Sequence, residues 1–305
     1  MSKVLDVIAR QALQKADIKL STTVIHIETG PNKVKVATSE GAELEFDEVV
    51  TTTPLGWLKQ NKHTFTPPLP PRLSQAIDAI GYGSLEKVRP LTVLADARSN
   101  MLQVYFTFPR AFWLGEATNP DKEPFTGFTQ WLSPSYALNT NPKRWNQVLV
   151  DLATLPGSSA QPTLLFYIFG EQSSTLAIEL AALPSKEAKE QHLVSFFTPY
   201  FSLLPQYKED SEDCIPVAWY ATDWVLDPLA GNGSYSNFQT GLVEGDKDIE
   251  IMREGLPDRG LWFAGEHTAP FEGLGTVTGA YWSGERVARR IAEAYAMTCK
   301  AHSTS

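Results

Sequence analysis

The sequence predicts an α/β protein of the mixed α+β type, and three observations lead to that class. Apolar and polar residues alternate in residues 33–36 and 44–50, which is typical of short antiparallel strands. Residues 163–170 form a continuous apolar run, as in a buried strand, whereas residues 186–201 place apolar side chains at helical spacing. Residues 260–295 have the pattern of a strand, a glycine-rich turn and a long helix. This combination of strand and helix patterns predicts sheets with flanking helices.

Composition sets the class of protein before any motif is considered. The 305 residues are 43% hydrophobic and 20% charged, as in a soluble globular protein, and the net charge of −9 argues against a nucleic-acid surface. Cys214 and Cys299 lie far apart without metal-ligand spacing, so we expect reduced thiols and no metal site. No apolar run approaches the roughly 18 residues that a membrane-spanning helix needs. We expect a cytoplasmic protein without a membrane partner.

The N-terminal third predicts a helix followed by a meander. Residues 1–16 are amphipathic, and one side of this helix carries Val4, Leu5, Ile8 and Leu13. Residues 18–28 predict a strand, and Gly30 begins a turn into the alternating segments. Residues 49–59 predict a strand that ends in the bend Thr-Pro-Leu-Gly, and residues 73–80 predict a short helix after a proline-rich linker.

Two middle segments allow more than one interpretation. Glycines at 81 and 83 precede a predicted strand that carries Lys87 among apolar neighbours, and the pattern alone favours a solvent-facing lysine. Residues 106–144 are rich in aromatic side chains and interrupted by prolines. Most of these aromatic rings are expected in the core, and a few are candidates to line a pocket for an apolar or amine substrate.

The C-terminal helix is the most strongly patterned element. Small or apolar residues recur on one side, namely Ala280, Gly284, Val287, Ile291 and Ala294. The other side carries Glu285, Arg286, Arg289, Arg290 and Glu293. Free N–H groups and the positive dipole end at the helix start suit an anionic or electron-rich cofactor group. An ordinary helix packed on a sheet explains the same pattern.

Four sequence motifs resemble those of one family. FAGEHT followed by TVTGAYWSGERVARRI closely resembles the C-terminal flavin-binding segment of the FAD-dependent amine oxidases, which include polyamine oxidases, monoamine oxidases and lysine-specific histone demethylases. TTPLG, the GYGSLEKV segment around Lys87, and the Trp-Asp-Pro and Gly-Ser-Tyr-Ser elements of residues 224–236 resemble further elements of that family. The resemblance covers nearly all of the chain, but only the C-terminal two thirds of a family member.

The resemblance implies roles for individual residues. It places four residues against FAD in addition to Val24, whose backbone would contact the adenine end: Gly265, Glu266, Thr276 and Val277. It gives Lys87 a water beside flavin N5 and makes Tyr235 one wall of an aromatic cage, with Trp224 packed nearby. Without the resemblance, Val24 is a core valine and Tyr235 a surface tyrosine in a turn.

The resemblance also implies a domain division and an activity. Residues 1–80 and 246–305 would belong to the FAD-binding domain, and residues 81–245 would form a substrate-binding domain with a mixed sheet and flanking helices. FAD would take a hydride from an amine, and O2 would then reoxidise it, giving H2O2. Thr276 stands where monoamine oxidases have the second cage tyrosine, so a polyamine or an N-alkylated amine is favoured as substrate over a small monoamine.

One expected element is absent from the sequence. No G-x-G-x-x-G occurs in the 305 residues, although this motif cradles the FAD pyrophosphate in the family. The chain is then part of a longer oxidase, is completed by a partner chain, or is a non-catalytic relative. A flavin oxidase of specialised metabolism that acts on a substrate other than a polyamine is a further alternative.

Overall fold

The computed structural model describes residues 2–30, 33–83, 101–114, 125, 127–239 and 241–303. Its α-helices are α1 (Ser2–Leu13), α2 (Leu55–Gln60), α3 (Pro71–Ala79), α4 (Gly170–Ala182), α5 (Lys186–Phe201), α6 (Gly245–Glu254) and α7 (Val277–Ser303). Its strands are β1 (Val24–Thr29), β2 (Val34–Thr38), β3 (Glu43–Phe46), β4 (Val49–Thr51), β5 (Phe65–Thr66), β6 (Gly81–Tyr82), β7 (Met101–Thr107), β8 (Phe128–Trp131), β9 (Gln147–Asp151), β10 (Thr163–Phe169), β11 (Ala218–Ala221), β12 (Ser236–Asn237) and β13 (Leu261–Phe263). The predicted mixture of helices and sheets is confirmed.

The N-terminal meander forms a four-stranded sheet in the order β3-β2-β1-β5. β1, β2 and β3 are antiparallel neighbours, and β5 joins β1 in parallel. The strand predicted for residues 18–28 is wrong in its first part, because β1 begins only at Val24. Helix α1 forms as predicted, but its apolar side is about half exposed, with Val4 at 53% and Leu13 at 51%.

Strand β4 pairs in parallel with β13, so that Val49 lies opposite Leu261 and Thr51 opposite Phe263. The strand predicted for residues 49–59 is wrong beyond Thr51, because helix α2 begins directly after Pro54. Leu55 and Leu58 explain the helix, since their spacing of three residues buries both fully on one side. The bend therefore connects a strand to a helix at the carboxyl end of a parallel strand.

A five-stranded sheet, in the order β11-β7-β10-β9-β8, forms the centre of the middle region. The sheet predicted there as mixed is antiparallel in all its pairings within the described ranges. Helix α5 has the predicted bounds because the Ser185 hydroxyl caps it, accepting from the Ala188 N–H at 3.2 Å. Its buried side chains Phe197 and Tyr200 pack with the sheet in one hydrophobic cluster.

A second hydrophobic cluster joins the two ends of the chain. It combines residues 27–82 with residues 249–263, including Leu55, Ile77, Met252 and Phe263. The predicted helix over residues 73–80 is confirmed as α3, which begins at Pro71 and contributes Ile77. The cluster lies beside β4 and β13 and supports the bend after β4.

Helix α7 turns only part of its predicted stripe of small and apolar residues inward. Val287 and Ile291 pack on Trp262 of β13, but Ala280 and Gly284 lie on the open side. Ser283 takes the inward position, because its hydroxyl donates to the Ala280 carbonyl at 2.7 Å and is satisfied there.

The charged side of α7 needs a similar correction. Arg290, predicted on the solvent side, lies over the Trp262 ring at 5.0 Å and donates to the carbonyls of Arg253 and Glu254 at the end of α6. Among the described helices, even the 27 residues of α7 lack the sustained apolar stretch that a bilayer span requires.

Candidate functional site

The site is built where the parallel strands β4 and β13 end. The Ala264 N–H donates to the Thr51 carbonyl at 3.0 Å, and the chain then bends at Gly265, whose φ is +140°. A Cβ at Gly265 would lie 2.6 Å from Cε1 of the His267 ring, so the bend requires glycine. The Gly265 N–H donates to the Ser283 hydroxyl at 2.8 Å, which fixes the bend against α7.

The turn before α7 places the helix start close to this bend. Thr276 caps the helix, since its hydroxyl accepts from the Gly279 N–H at 2.9 Å and donates to the Gly273 carbonyl at 2.8 Å. The first N–H groups of a helix have no intrahelical acceptors and favour negative charge. Val277, the first residue of α7, is 51% exposed, so these groups lie at an accessible helix end.

Glu266 ties this helix start to the segment that carries Tyr235. One carboxylate oxygen accepts from the Ser236 N–H at 3.1 Å and hydroxyl at 2.8 Å, and the other accepts from the Gly275 N–H at 2.8 Å. Burial raises the pKa of Glu266, and these donors act in the opposite direction by favouring the ionised form. A Cβ at Gly275 would lie 3.0 Å from Cδ2 of the Tyr235 ring, so the ring lies against that glycine.

A cavity of about 340 Å³ opens between the bend after β4 and the segment before Tyr235. Its lining is mainly apolar and includes the carboxyl group of Asp227. The lining residues are Pro54, Tyr82, Trp224, Asp227, Leu229, Ala230, Gly233 and Ser234. A concave, mostly apolar space with a single charged group is typical of a small-molecule site.

The structure brings together most of the predicted site residues. Gly265, Glu266, Thr276 and Val277 surround the turn before α7, and Tyr235 contacts that turn through Gly275. Trp224 lines the neighbouring cavity. Val24 lies in a different sheet, where it starts β1 and packs beside the second hydrophobic cluster. Lys87 lies outside the described residues. The contacts of these residues with FAD stay predictions.

Sequence reasoning missed two residues that support the site. The buried Tyr82 hydroxyl donates to the Ala230 carbonyl at 2.7 Å, and burial raises the pKa of Tyr82. Ser236, the main partner of Glu266, belongs to a motif of the family, but the motif does not indicate this contact. The glycines at 56, 231 and 233 signal close packing in the sequence, but only the structure shows that Tyr82 is among the groups packed against them.

The residues present fit the ring end of a flavin. Thr51 and Thr53, at the carboxyl end of β4, have buried hydroxyl oxygens that lack hydrogen-bond partners among the described residues. A mainly apolar cavity lies next to Pro54, and the start of α7 offers N–H donors. The sequence has no glycine-rich turn of the kind that cradles a pyrophosphate. The fit therefore concerns the ring and not the whole dinucleotide.

Comparisons with known proteins identify the family. Residues 1–90 and 99–292 match the family described as flavin containing amine oxidoreductase. Lysine-specific histone demethylase 1 homolog 3 of Arabidopsis thaliana is 28% identical over 279 residues, covering 90% of this chain and 14% of that protein. Lysine-specific histone demethylase 1 of Caenorhabditis elegans is 27% identical over 290 residues, covering 91% of this chain and 31% of that protein.

Solved structures show the same fold. Putrescine oxidase bound to putrescine matches with a TM-score of 0.62 at 19% identity, over 95% of this chain and 52% of that chain. Cyclohexylamine oxidase from Brevibacterium oxydans matches with a TM-score of 0.57 at 17% identity, over 98% of this chain and 52% of that chain. The chain thus spans about half of these oxidases and less of the demethylases. Because the family match covers most of the 305 residues, the chain belongs to the flavin-containing amine oxidoreductases.

Proposed function

We propose that this chain supplies the flavin-ring and substrate part of an enzyme that oxidises an amine. One observation carries the proposal: the partly buried Glu266 carboxylate joins the start of α7 to the segment of Tyr235, beside a cavity lined by Trp224. The helix start and the orphaned threonine hydroxyls would hold the cofactor. The Tyr235 ring would face the substrate.

The chemistry divides between the cofactor and the protein. Bound FAD would accept a hydride from the carbon beside the amine nitrogen and deliver two electrons to O2 with protons, so that H2O2 forms. Water then hydrolyses the imine of the substrate to a carbonyl compound and an amine. Tyr235 would orient the amine through its electron-rich face, and Asp227 would attract the cationic form to the cavity. Lys87 would hold the water that assists reoxidation.

We favour a polyamine or an N-alkylated amine as the substrate. Thr276, not an aromatic residue, stands at the position where the resemblance places the second cage tyrosine of monoamine oxidases. A chain with a net charge of −9 also favours cations with more than one charge. Two similar proteins support an amine: one solved relative holds putrescine, and the sequence relatives are named as lysine-specific demethylases.

Amine oxidation and flavin binding test the proposal together. The purified protein supplied with FAD, alone or with a strand–GxGxxG–helix unit that completes the site, should show the visible absorbance of bound flavin and should release H2O2 with spermine or N-acetylspermine. Tyr235→Leu should lower kcat/KM about tenfold by removing the ring face, whereas Tyr235→Phe should keep most of the activity. A protein that stays colourless under all conditions contradicts the enzyme and favours a non-catalytic relative. A yellow protein without polyamine activity favours a different flavin-oxidase substrate.

We further propose that another polypeptide segment completes the FAD site, either within a longer chain or from a partner. β4 and β13 form a two-stranded parallel sheet, and parallel sheets are stable mainly as larger sheets covered by helices. The open side of α7 carries Ala280 and Gly284, and no atom of the described residues lies within 4 Å of a Cβ built at Gly284. A strand–glycine turn–helix unit fits both surfaces, since its strand extends a parallel sheet and its helix packs on small residues.

Complementation tests this second proposal. Co-expression with a separate strand–GxGxxG–helix unit from a related oxidase should raise the amount of FAD that copurifies with the chain. Gly284→Leu should reduce this gain by placing a bulky side chain on the docking side, without lowering the melting temperature of the chain alone. Ala182→Leu, at an exposed position of α4, is the matched control and should have no effect. Full occupancy by FAD without the added unit would contradict the proposal.

A further inference from the structure

The segment of residues 230–236, which leads to Tyr235, is held from two sides. At its start, the Tyr82 hydroxyl donates to the Ala230 carbonyl at 2.7 Å, and the Tyr82 side chain is only 4% exposed. Gly231 packs directly on α2, because a Cβ there would lie 2.2 Å from the Trp57 nitrogen. The first residues of the segment therefore have little freedom to move.

The other end of the segment is held by charge-assisted hydrogen bonds. Glu266 accepts from both the backbone N–H and the hydroxyl of Ser236, the residue after Tyr235. The second carboxylate oxygen accepts from the Gly275 N–H. The backbone N–H groups of Ser236 and Gly275 can only donate, so both atoms at the end of the residue 266 side chain must be acceptors. A carboxylate meets this requirement.

Tyr235 lies in the sequence between Ala230, which Tyr82 holds, and Ser236, which Glu266 holds. Gly275 gives the ring its place, because any side chain at that position would come within 3.0 Å of the ring and of the Ser236 carbonyl. Glu266 holds the backbone of both Gly275 and Ser236, one on each side of the contact. The orientation of the ring relative to the start of α7 is thus set by residue 266.

We propose that Glu266 and Tyr82 are positioning residues that clamp residues 230–236 and fix the Tyr235 ring relative to the helix that would hold the flavin. The role rests on the proposed function, in which Tyr235 faces the substrate. Glu266 acts through Tyr235 and Gly275, and Tyr82 acts through the start of the same segment. The clamp belongs to the protein itself, so it exists with or without the cofactor.

Hydrogen exchange tests the clamp without any flavin. In Glu266→Gln the side chain keeps its size, but its amide nitrogen cannot accept a hydrogen bond. One of the two backbone hydrogen bonds to residue 266 is therefore lost. The backbone amide that loses its acceptor, that of Ser236 or that of Gly275, should then exchange about tenfold faster. Glu272→Gln changes an exposed carboxylate in the neighbouring turn and is the matched control. Unchanged exchange of both amides in Glu266→Gln would overturn the clamp.

The Tyr235 ring can be followed separately by fluorotyrosine NMR, with the Tyr235→Phe spectrum giving the assignment. We expect the Tyr235 resonance to shift and broaden in Glu266→Gln and in Tyr82→Phe, and to stay unchanged in Glu272→Gln. A resonance that both clamp variants leave unchanged would overturn the positioning role, even if the exchange rates rise.

Steady-state kinetics then separates the clamp from the proposed function. In protein that oxidises amines, Glu266→Gln and Tyr235→Leu should lower kcat/KM, and the double variant should lose less than the product of the single losses, because both changes act on one ring. Independent losses would overturn the positioning role and leave amine oxidation intact. Protein without amine oxidation would contradict the proposed function, while exchange and NMR still decide the clamp.

Discussion

Gly279→Ala is expected to unfold the start of α7. A Cβ at residue 279 would lie 1.9 Å from the Gly273 carbonyl oxygen, 2.6 Å from its carbonyl carbon and 2.8 Å from Cβ of Ala269. None of these atoms belongs to a flexible side chain, so the backbone of the turn must move. We expect a loss of at least about 3 kcal/mol in the free energy of unfolding, measured by urea denaturation. Flavin binding should fall with it.

Gly284→Ala is the matched control, five residues further along the same helix. Within the described part of the chain, no atom lies within 4 Å of a Cβ built there, and alanine is the better helix former. The same urea experiment should show a gain of up to about 1 kcal/mol in the free energy of unfolding. Similar losses in both variants would show that α7 does not lie on the Gly273 turn as described.

Acidification is expected to destabilise the protein through His267. This side chain is 1% exposed, its Nε2 lacks a partner among the described residues, and burial lowers the pKa of His267 from 6.5 to about 4. Between about pH 6.5 and pH 4 the unfolded chain binds a proton that the native state does not, so stability falls as the pH falls through this window. The His267 contribution is about 3 kcal/mol when the whole window is crossed, and it changes no further below about pH 4.

Glu266 opposes this effect, so a comparison of variants is needed. Burial raises the pKa of Glu266, which means that the folded state takes up its proton at a higher pH than the unfolded state and gains stability on acidification. Urea unfolding across the window should give a steeper loss for the wild type than for His267→Gln. His63→Gln, at an exposed histidine, should follow the wild type. Parallel curves for wild type and His267→Gln would rule out a buried neutral histidine.

Local pattern predicted the elements whose signals lie within a few residues. Helix α5 has the predicted bounds because its apolar side chains recur at helical spacing in the sequence. The strand predicted over residues 55–59 is wrong, because the apolar residues Leu55, Trp57 and Leu58 around a glycine are consistent with either a strand or a helix. The helix forms because it buries Leu55 and Leu58 in the second hydrophobic cluster, which includes the distant residues 249–263.

The site itself was predicted as a set of motifs and not as a set of contacts. Sequence likeness named Glu266 and Tyr235, but spacing does not show that Ser236 and Gly275 share the Glu266 carboxylate. Tyr82 escaped notice for the same reason, since its partner Ala230 is 148 residues away. Hydrogen bonds between distant segments depend on the tertiary fold, and no local periodicity encodes them.

The parallel pairing of β4 with β13 also constrains the order in which the molecule assembles. Val49 meets Leu261, so this pairing closes a loop that contains the whole five-stranded sheet and the helices beside it. Closing so long a loop costs less once the intervening chain is compact. We expect the middle region to collapse first and the two ends to join afterwards. The candidate site is therefore among the last parts of the molecule to form, and it needs residues 261–303 to be synthesised before it exists at all.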